Sequence, residues 1–406
     1  MSGRRYVSTW AWPWDLADEG PREAVRFIKN DLGMTALSVA AVYHTGKFLL
    51  PRNPRRRIYN AESGVAYFRP DTKRYKDLKL QPLLSTFARE ENAYPKIIEA
   101  CGQEGLDFSA WIIALHNSGL GRQHPDCCQR NAYGDVHEYG LCPANPDCRE
   151  YVKALVGDLV SQFSPFAIDV ESPNYVGYVH HMHHERTPVN YGDFEVFLLS
   201  LCFCDSCRAM AKEASIDIDG IQVWVRETLD RRLNEDWHTS EWRKKNMEDF
   251  YALLIHKQEM MDFIRARQRV VTSLVKEARE ICARGGTRLF TISSIFAHPS
   301  NQAWTEGSDL PGLSEVADAL IVCAYYPNVT EFFDDLRFAV SVVPQKQKVI
   351  AGIKSFMPAA VSKDLLLQQV AVAKELGLSK FSFSNYSCTD RTRLGWLAEA
   401  VKAIGA

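Results

Sequence analysis

Asp169 and Glu171 stand two residues apart in the apolar run PFAIDVES, 165–172. Alternate residues of a strand project from one face, so the two carboxyls share a face and Ile168 and Val170 take the other. Like charges this close push one pKa upward and hold a proton beside an ionised partner. Glycoside hydrolysis uses such a pair, with Glu171 as general acid/base and Asp169 beside it. The structural alternative is a buried salt bridge to Lys354 or to a loop arginine.

Cysteines form the second cluster. Of 11, seven crowd between 127 and 207, three of them in LCFCDSC, 201–207. Metal binding is the usual cause of such crowding. The N-terminal MSGRRYVSTWAWPWDL lacks the apolar core of a signal peptide. A reducing, cytoplasmic setting is therefore expected, where a disulfide framework does not form. Cys101, Cys282, Cys323 and Cys388 stand singly and read as small core residues.

These groups need a scaffold. Eight apolar, β-branched runs recur, at 5–12, 35–44, 107–117, 165–172, 288–295, 318–326, 348–356 and 380–387. Helical patterns separate them, near 21–31, 91–104, 146–162, 240–284, 329–342 and 361–377, and a last one near 390–404 closes the chain. Apolar runs alternating with helices predict a parallel sheet covered on its outer face, and eight units predict a (β/α)8 TIM barrel. A doubly wound sheet is the alternative, but no Gly-rich phosphate loop follows any strand. The whole of 1–406 is expected to form one barrel domain with a loop and helical insertion at about 173–240. The loops after strands two, three and four are long, and such loops build the site-bearing face.

The predicted strand ends gather polar and aromatic residues: Trp10, Trp12, Trp14 and Asp15; Tyr43 and His44; His116 and Asn117; Ser293 and Ser294; Tyr325 and Tyr326; Lys354; Asn385 and Tyr386. Aromatic faces with amides and carboxyls suit a carbohydrate. Trp10, Trp12, His44, His116, Asn117, Tyr325, Lys354 and Asn385 are the expected substrate contacts; for Asn117 and His116 a loop brace is the plain alternative. VHHMHHER, 179–186, adds His180 and His181 as substrate contacts, with metal ligation or a solvated loop as alternatives. PRNPRRR, 51–57, either binds an anion or pairs with loop acids.

The stretch CPANPDCREYVKALVGDL, a strand ending in glutamate, then CFCDSCRAMA, resembles the family 42 glycoside hydrolases, which are (β/α)8-barrel β-galactosidases. The resemblance covers about 140–210. It implies a structural zinc on Cys142, Cys202, Cys204 and Cys207, and an acid/base at Glu171. Cys127, Cys128 and Cys148 are the alternatives to Cys142, and four reduced thiols without metal remain the plain reading. Two departures stand out. The family has Asn before its acid/base where this chain has Val170, and a glutamate nucleophile on strand seven where this chain offers Lys354. The DVE ending is similar instead to family 18 chitinase-like enzymes, where the substrate's acetamido group attacks.

A net charge of −2 gives no basic face for nucleic acid, and no apolar run reaches membrane-spanning length. No organic cofactor is expected. The charged helical stretch at 210–245 is read as a small lobe or a homo-oligomer contact. The leading expectation is a glycoside hydrolase. A lyase or isomerase with Lys354 or a histidine as base, and a non-catalytic sugar-binding barrel, are the alternatives.

Overall fold

The structure is a computed structural model that describes residues 5–178, 191–234, 251–293 and 299–405. His180, His181 and Ser294 lie outside the described residues. Eight parallel strands close into a barrel: β1 (Tyr6–Ala11), β2 (Ala36–Tyr43), β3 (Asp107–Ile113), β4 (Ala167–Glu171), β5 (Arg288–Ile292), β6 (Ala319–Cys323), β7 (Val349–Lys354) and β8 (Lys380–Ser384). Each pairs with the next, and β8 returns to β1. This is the (β/α)8 TIM barrel. Every strand is buried almost throughout, which is why the runs are apolar rather than alternating.

The outer layer holds α1 (Pro13–Glu19), α2 (Pro21–Asn30), α3 (Ala93–Glu104), α4 (Pro146–Phe163), α5 (Asp205–Glu213), α6 (Ile218–Asn234), α7 (Gln258–Arg284), α8 (Leu310–Val316), α9 (Val329–Val342), α10 (Lys363–Glu375) and α11 (Arg391–Gly405). Side chains cap their starts. Asn145, Asn328 and Ser362 each accept a backbone N–H from the first turn of α4, α9 and α10. Among the described residues no helix is long and apolar enough to cross a membrane.

Two helices were not expected. α1 begins directly after β1, so Trp14 and Asp15 are helical rather than strand-end residues. Pro13 at its first position is the signal, since a ring-fixed φ and a missing N–H suit that position. α8 starts with Asp309 capping Gly312 and with Pro311 in its first turn. β3 stops at Ile113, short of the expected 117, and Asn117 caps the helix Ser118–Gln123. The loop after β2 carries a hairpin, Gly46–Leu49 with Ile58–Ala61. The loop after β3 carries another, Cys128–Arg130 with Val136–Leu141.

Candidate active site

β4 carries Asp169 and Glu171 on one face. The register sets Asp169 against Trp111 of β3 and Phe290 of β5. Trp111 Nε1 donates to Glu171 Oε2 at 2.8 Å, and Ser38 Oγ donates to Asp169 Oδ2 at 2.5 Å. Among the described residues Asp169 Oδ1 has no hydrogen-bond partner. Burial pushes Glu171 up to about 8 and Asp169 up to about 7, each opposed only by its one neutral donor. Desolvation does the lifting, and the further repulsion expected between the two carboxyls does not figure among the causes. The salt-bridge alternative finds no cation on either carboxyl among the described residues.

Around Glu171 the strand ends supply a wall. Trp111 packs on Trp10 and Tyr43, with ring centroids 5.0 and 4.9 Å apart. His44 stacks between Tyr43 and His116, at 4.4 and 4.7 Å. Its Nδ1 lies 2.6 Å from the Thr45 carbonyl, which places the proton on Nδ1. Burial lowers its pKa, so the ring is neutral. Opposite, Lys354 Nζ lies over the rings of Tyr325 and Phe356, at 5.2 and 4.9 Å. Burial lowers the Lys354 pKa, and no carboxylate acts against that shift. The charge of Glu171 reaches Tyr43, Tyr325 and Cys323 and helps raise all three pKa values, after burial as the main cause. Glu171, Trp111, Tyr43, His44, His116, Tyr325 and Lys354 therefore share one mouth.

Other expected contacts have neighbours of their own. Trp10 is buried against Trp111. Trp12 is packed among Trp14, Phe48 and Tyr43. Asn117 is a brace: its Oδ1 accepts from Leu120 N and its Nδ2 donates to the Gly64 carbonyl. Gly64 permits that approach, because a Cβ there would lie 1.8 Å from Asn117 Oδ1. Asn385 Oδ1 is used at home, accepting from Ser387 N. Three of the four arginines of 51–57 pair with acids, and Arg57 donates to the Asn53 carbonyl. Arg52 meets Glu19, Arg56 meets Asp18, and Arg55 lies near Asp18 and Glu91. A cavity of about 670 Å³ beside them, bordered by Phe27, Arg52, Tyr386 and Leu394, lies against α2 and α11 rather than at the mouth.

Strand-end reasoning missed two members of the mouth. Trp111 was hidden inside a hydrophobic run, although its register with Asp169 follows from the barrel. Cys323 is a buried core residue as expected, and it also lies close enough to Lys354, Tyr325 and Glu171 for their charges to interact.

The cysteines converge elsewhere. The sulfurs of Cys142, Cys202, Cys204 and Cys207 all lie within 4.8 Å of one another, and all four residues are buried. Cys204 and Cys207 sit 3.5 and 3.6 Å from Cys142. A tetrahedral zinc with bonds of about 2.3 Å sets its sulfurs about 3.8 Å apart, so the group fits a metal ion. Arg130 N donates to Cys202 Sγ at 3.4 Å. Arg267 of α7 is fully buried nearby, and among the described residues none of its three guanidinium nitrogens has a hydrogen-bond partner. Cys127, Cys128 and Cys148 stand apart; Cys128 Sγ faces the Gly121 carbonyl and Cys148 Sγ that of Cys127.

No family model matches the sequence, and no curated protein matches it. Solved structures do share the fold. The PgaB (BpsB) glycoside hydrolase domain from Bordetella bronchiseptica matches with a TM-score of 0.57 at 13% identity, over 99% of this chain and 97% of that one. A β-galactosidase from the haloarchaeon Halorubrum lacusprofundi matches with a TM-score of 0.59 at 10% identity, over 98% of this chain and 58% of that one. α-L-Fucosidase isoenzyme 2 from Paenibacillus thiaminolyticus matches with a TM-score of 0.55 at 13% identity, over 99% of this chain and 50% of that one. This chain thus spans about half of the fucosidase and under two thirds of the galactosidase. At these identities the likeness is one of fold.

Proposed function

We propose that this chain is a carbohydrate-active enzyme, a glycoside hydrolase with Glu171 as its general acid. The observation that carries the reading is a glutamic acid at the end of a barrel strand, at the mouth, held protonated to about pH 8 by burial. Trp111 Nε1 occupies Oε2, which leaves Oε1 to carry the proton. A leaving glycosidic oxygen placed there accepts it as the bond breaks. Asp169 is wholly buried, so it acts beneath Glu171 rather than on the sugar. Neutral His44 and the Tyr325 hydroxyl are suited to sugar hydroxyls. No carboxylate ends β7, so the attacking group is a water or the substrate's own acetamido group. The shared fold with glycoside hydrolases supports the class.

One observation favours a second reading. Lys354 is half-buried, its pKa is lowered by burial, and it makes no ion pair among the described residues. An amine in that state is a base suited to a sugar lyase or isomerase. Product analysis separates the two, because hydrolysis adds water and elimination leaves an unsaturated sugar. The hydrolase reading requires hydrolysed product that Glu171→Gln abolishes and Lys354→Met spares in kind. An unsaturated or isomerised product lost in Lys354→Met overturns it.

Zinc is the proposed occupant of the four-cysteine group. Bound to four protein thiolates it supplies a cross-link and has no open coordination position. The group joins Cys142, before α4, to the 202–207 segment that follows the loop after β4.

A further inference from the structure

We infer that Arg267 is the internal counter-charge of a zinc–tetrathiolate centre, tying α7 to the cysteine segments; the inference rests on the zinc reading above. Four thiolates and one Zn²⁺ leave a net charge of two minus, buried with Cys142, Cys202, Cys204 and Cys207. Arg267 brings one positive charge into the same interior. Its guanidinium lies 4.3 Å from the centre of the Tyr175 ring, and the Tyr175 hydroxyl lies 3.7 Å from Cys207 Sγ. Cys207, Cys202 and Cys142 are near enough for their charges to act on it.

A fully buried guanidinium with no acceptor on any nitrogen is a very unfavourable placement unless an anion lies close. Four neutral thiols supply none. A dianionic metal centre does. Tyr175 bridges the two, with its ring against the guanidinium and its hydroxyl against Cys207 Sγ, so Arg267 is a positioning residue for the metal, remote from sugar chemistry.

The test is release of zinc to a chromophoric chelator from the zinc-loaded full chain. Parent, Arg267→Lys, Arg267→Met and Arg267→Gln are compared, with folding checked by circular dichroism. Removing the charge should speed release about 10–100-fold, as for other outer partners of metal sites, while Arg267→Lys stays within about threefold of the parent. A folded Met or Gln variant that releases zinc at the parental rate overturns the inference and leaves the zinc reading standing. A parent that binds no zinc overturns both. If neither uncharged variant folds, hydrogen exchange on the parent decides. Stripping zinc should strand the Arg267 charge and lower protection across Ile264–Val271 of α7 about tenfold or more, with α11 unchanged. Unchanged protection there overturns the inference.

Discussion

At the barrel mouth Glu171 and Asp169 lie buried with one neutral donor each, and burial keeps both protonated near neutrality. In the cysteine cluster four thiols lie equally buried, but they face one another, a backbone N–H and an unpartnered arginine. Its hydrogen bonds with Cys142, Cys202 and Cys207 pull Cys204 below the usual thiol range, while Cys142 and Cys207 lie above it. The same loss of water thus holds protons on both carboxyls of one region and on Cys142 of the other, where Cys204 alone is drawn toward losing its own. What differs is the charge that each set of neighbours can stabilise. The two regions also adjoin in sequence. Tyr175, which touches Arg267 and Cys207, follows Glu171 by four residues, so the cluster anchors the loop that leaves the acid.

The sharpest way to break this comparison is at Glu171. Glu171→Gln keeps the shape and removes the stored proton. Turnover on a natural glycoside should fall about 10²–10⁴-fold, with sugar binding retained by calorimetry. Loss of binding with turnover per bound sugar unchanged would contradict the role. Next comes Cys204→Ser in the other region. Zinc content should fall from about one per chain to near none and the thermal midpoint should drop, while turnover of the folded fraction changes by less than about tenfold. Equal loss of turnover and stability would erase the distinction between chemical and bracing regions.

A smaller effect lies in stability against pH. The folded Glu171 holds its proton to about 8, and the unfolded side chain loses it near 4.5. Between those values the folded chain binds more protons, so stability is greatest below pH 4.5 and is lost as pH rises to 8. The slope from this one group approaches about 1.4 kcal/mol per pH unit. Denaturant titrations should show that part of the slope vanish in Glu171→Gln. An unchanged slope would mean that Glu171 is ionised in the folded protein. The smallest effect belongs to Asp169→Asn. Burial rather than Asp169 raises Glu171, so the basic limb of the activity profile should stay near pH 8. A fall of a full unit would restore mutual repulsion as the cause.

Much of this was legible in the sequence. Eight apolar runs are the eight barrel strands, because a parallel strand buried on both faces cannot alternate. Asp169 and Glu171 follow from strand period, and the four-cysteine set follows from the family resemblance, with Cys142 now located beside the other three. Burial depth was not legible. Trp12 looks like a platform on a strand end, yet Trp14 of α1 and Phe48 of the Gly46–Ala61 hairpin pack against it. Asn117 looks like a sugar ligand until Gly64 closes on it. Arg267 sits in a charged helical stretch, and only tertiary packing shows that its charge has no acceptor.

The most direct test of the central claim varies the leaving group. Aryl glycosides with acidic phenols need little protonation, so a proton donor matters least for them. Glu171→Gln should lose far less turnover on such a substrate than on a natural glycoside, with the gap widening as the leaving-group pKa rises. Equal losses across the series would show that Glu171 does not donate the proton.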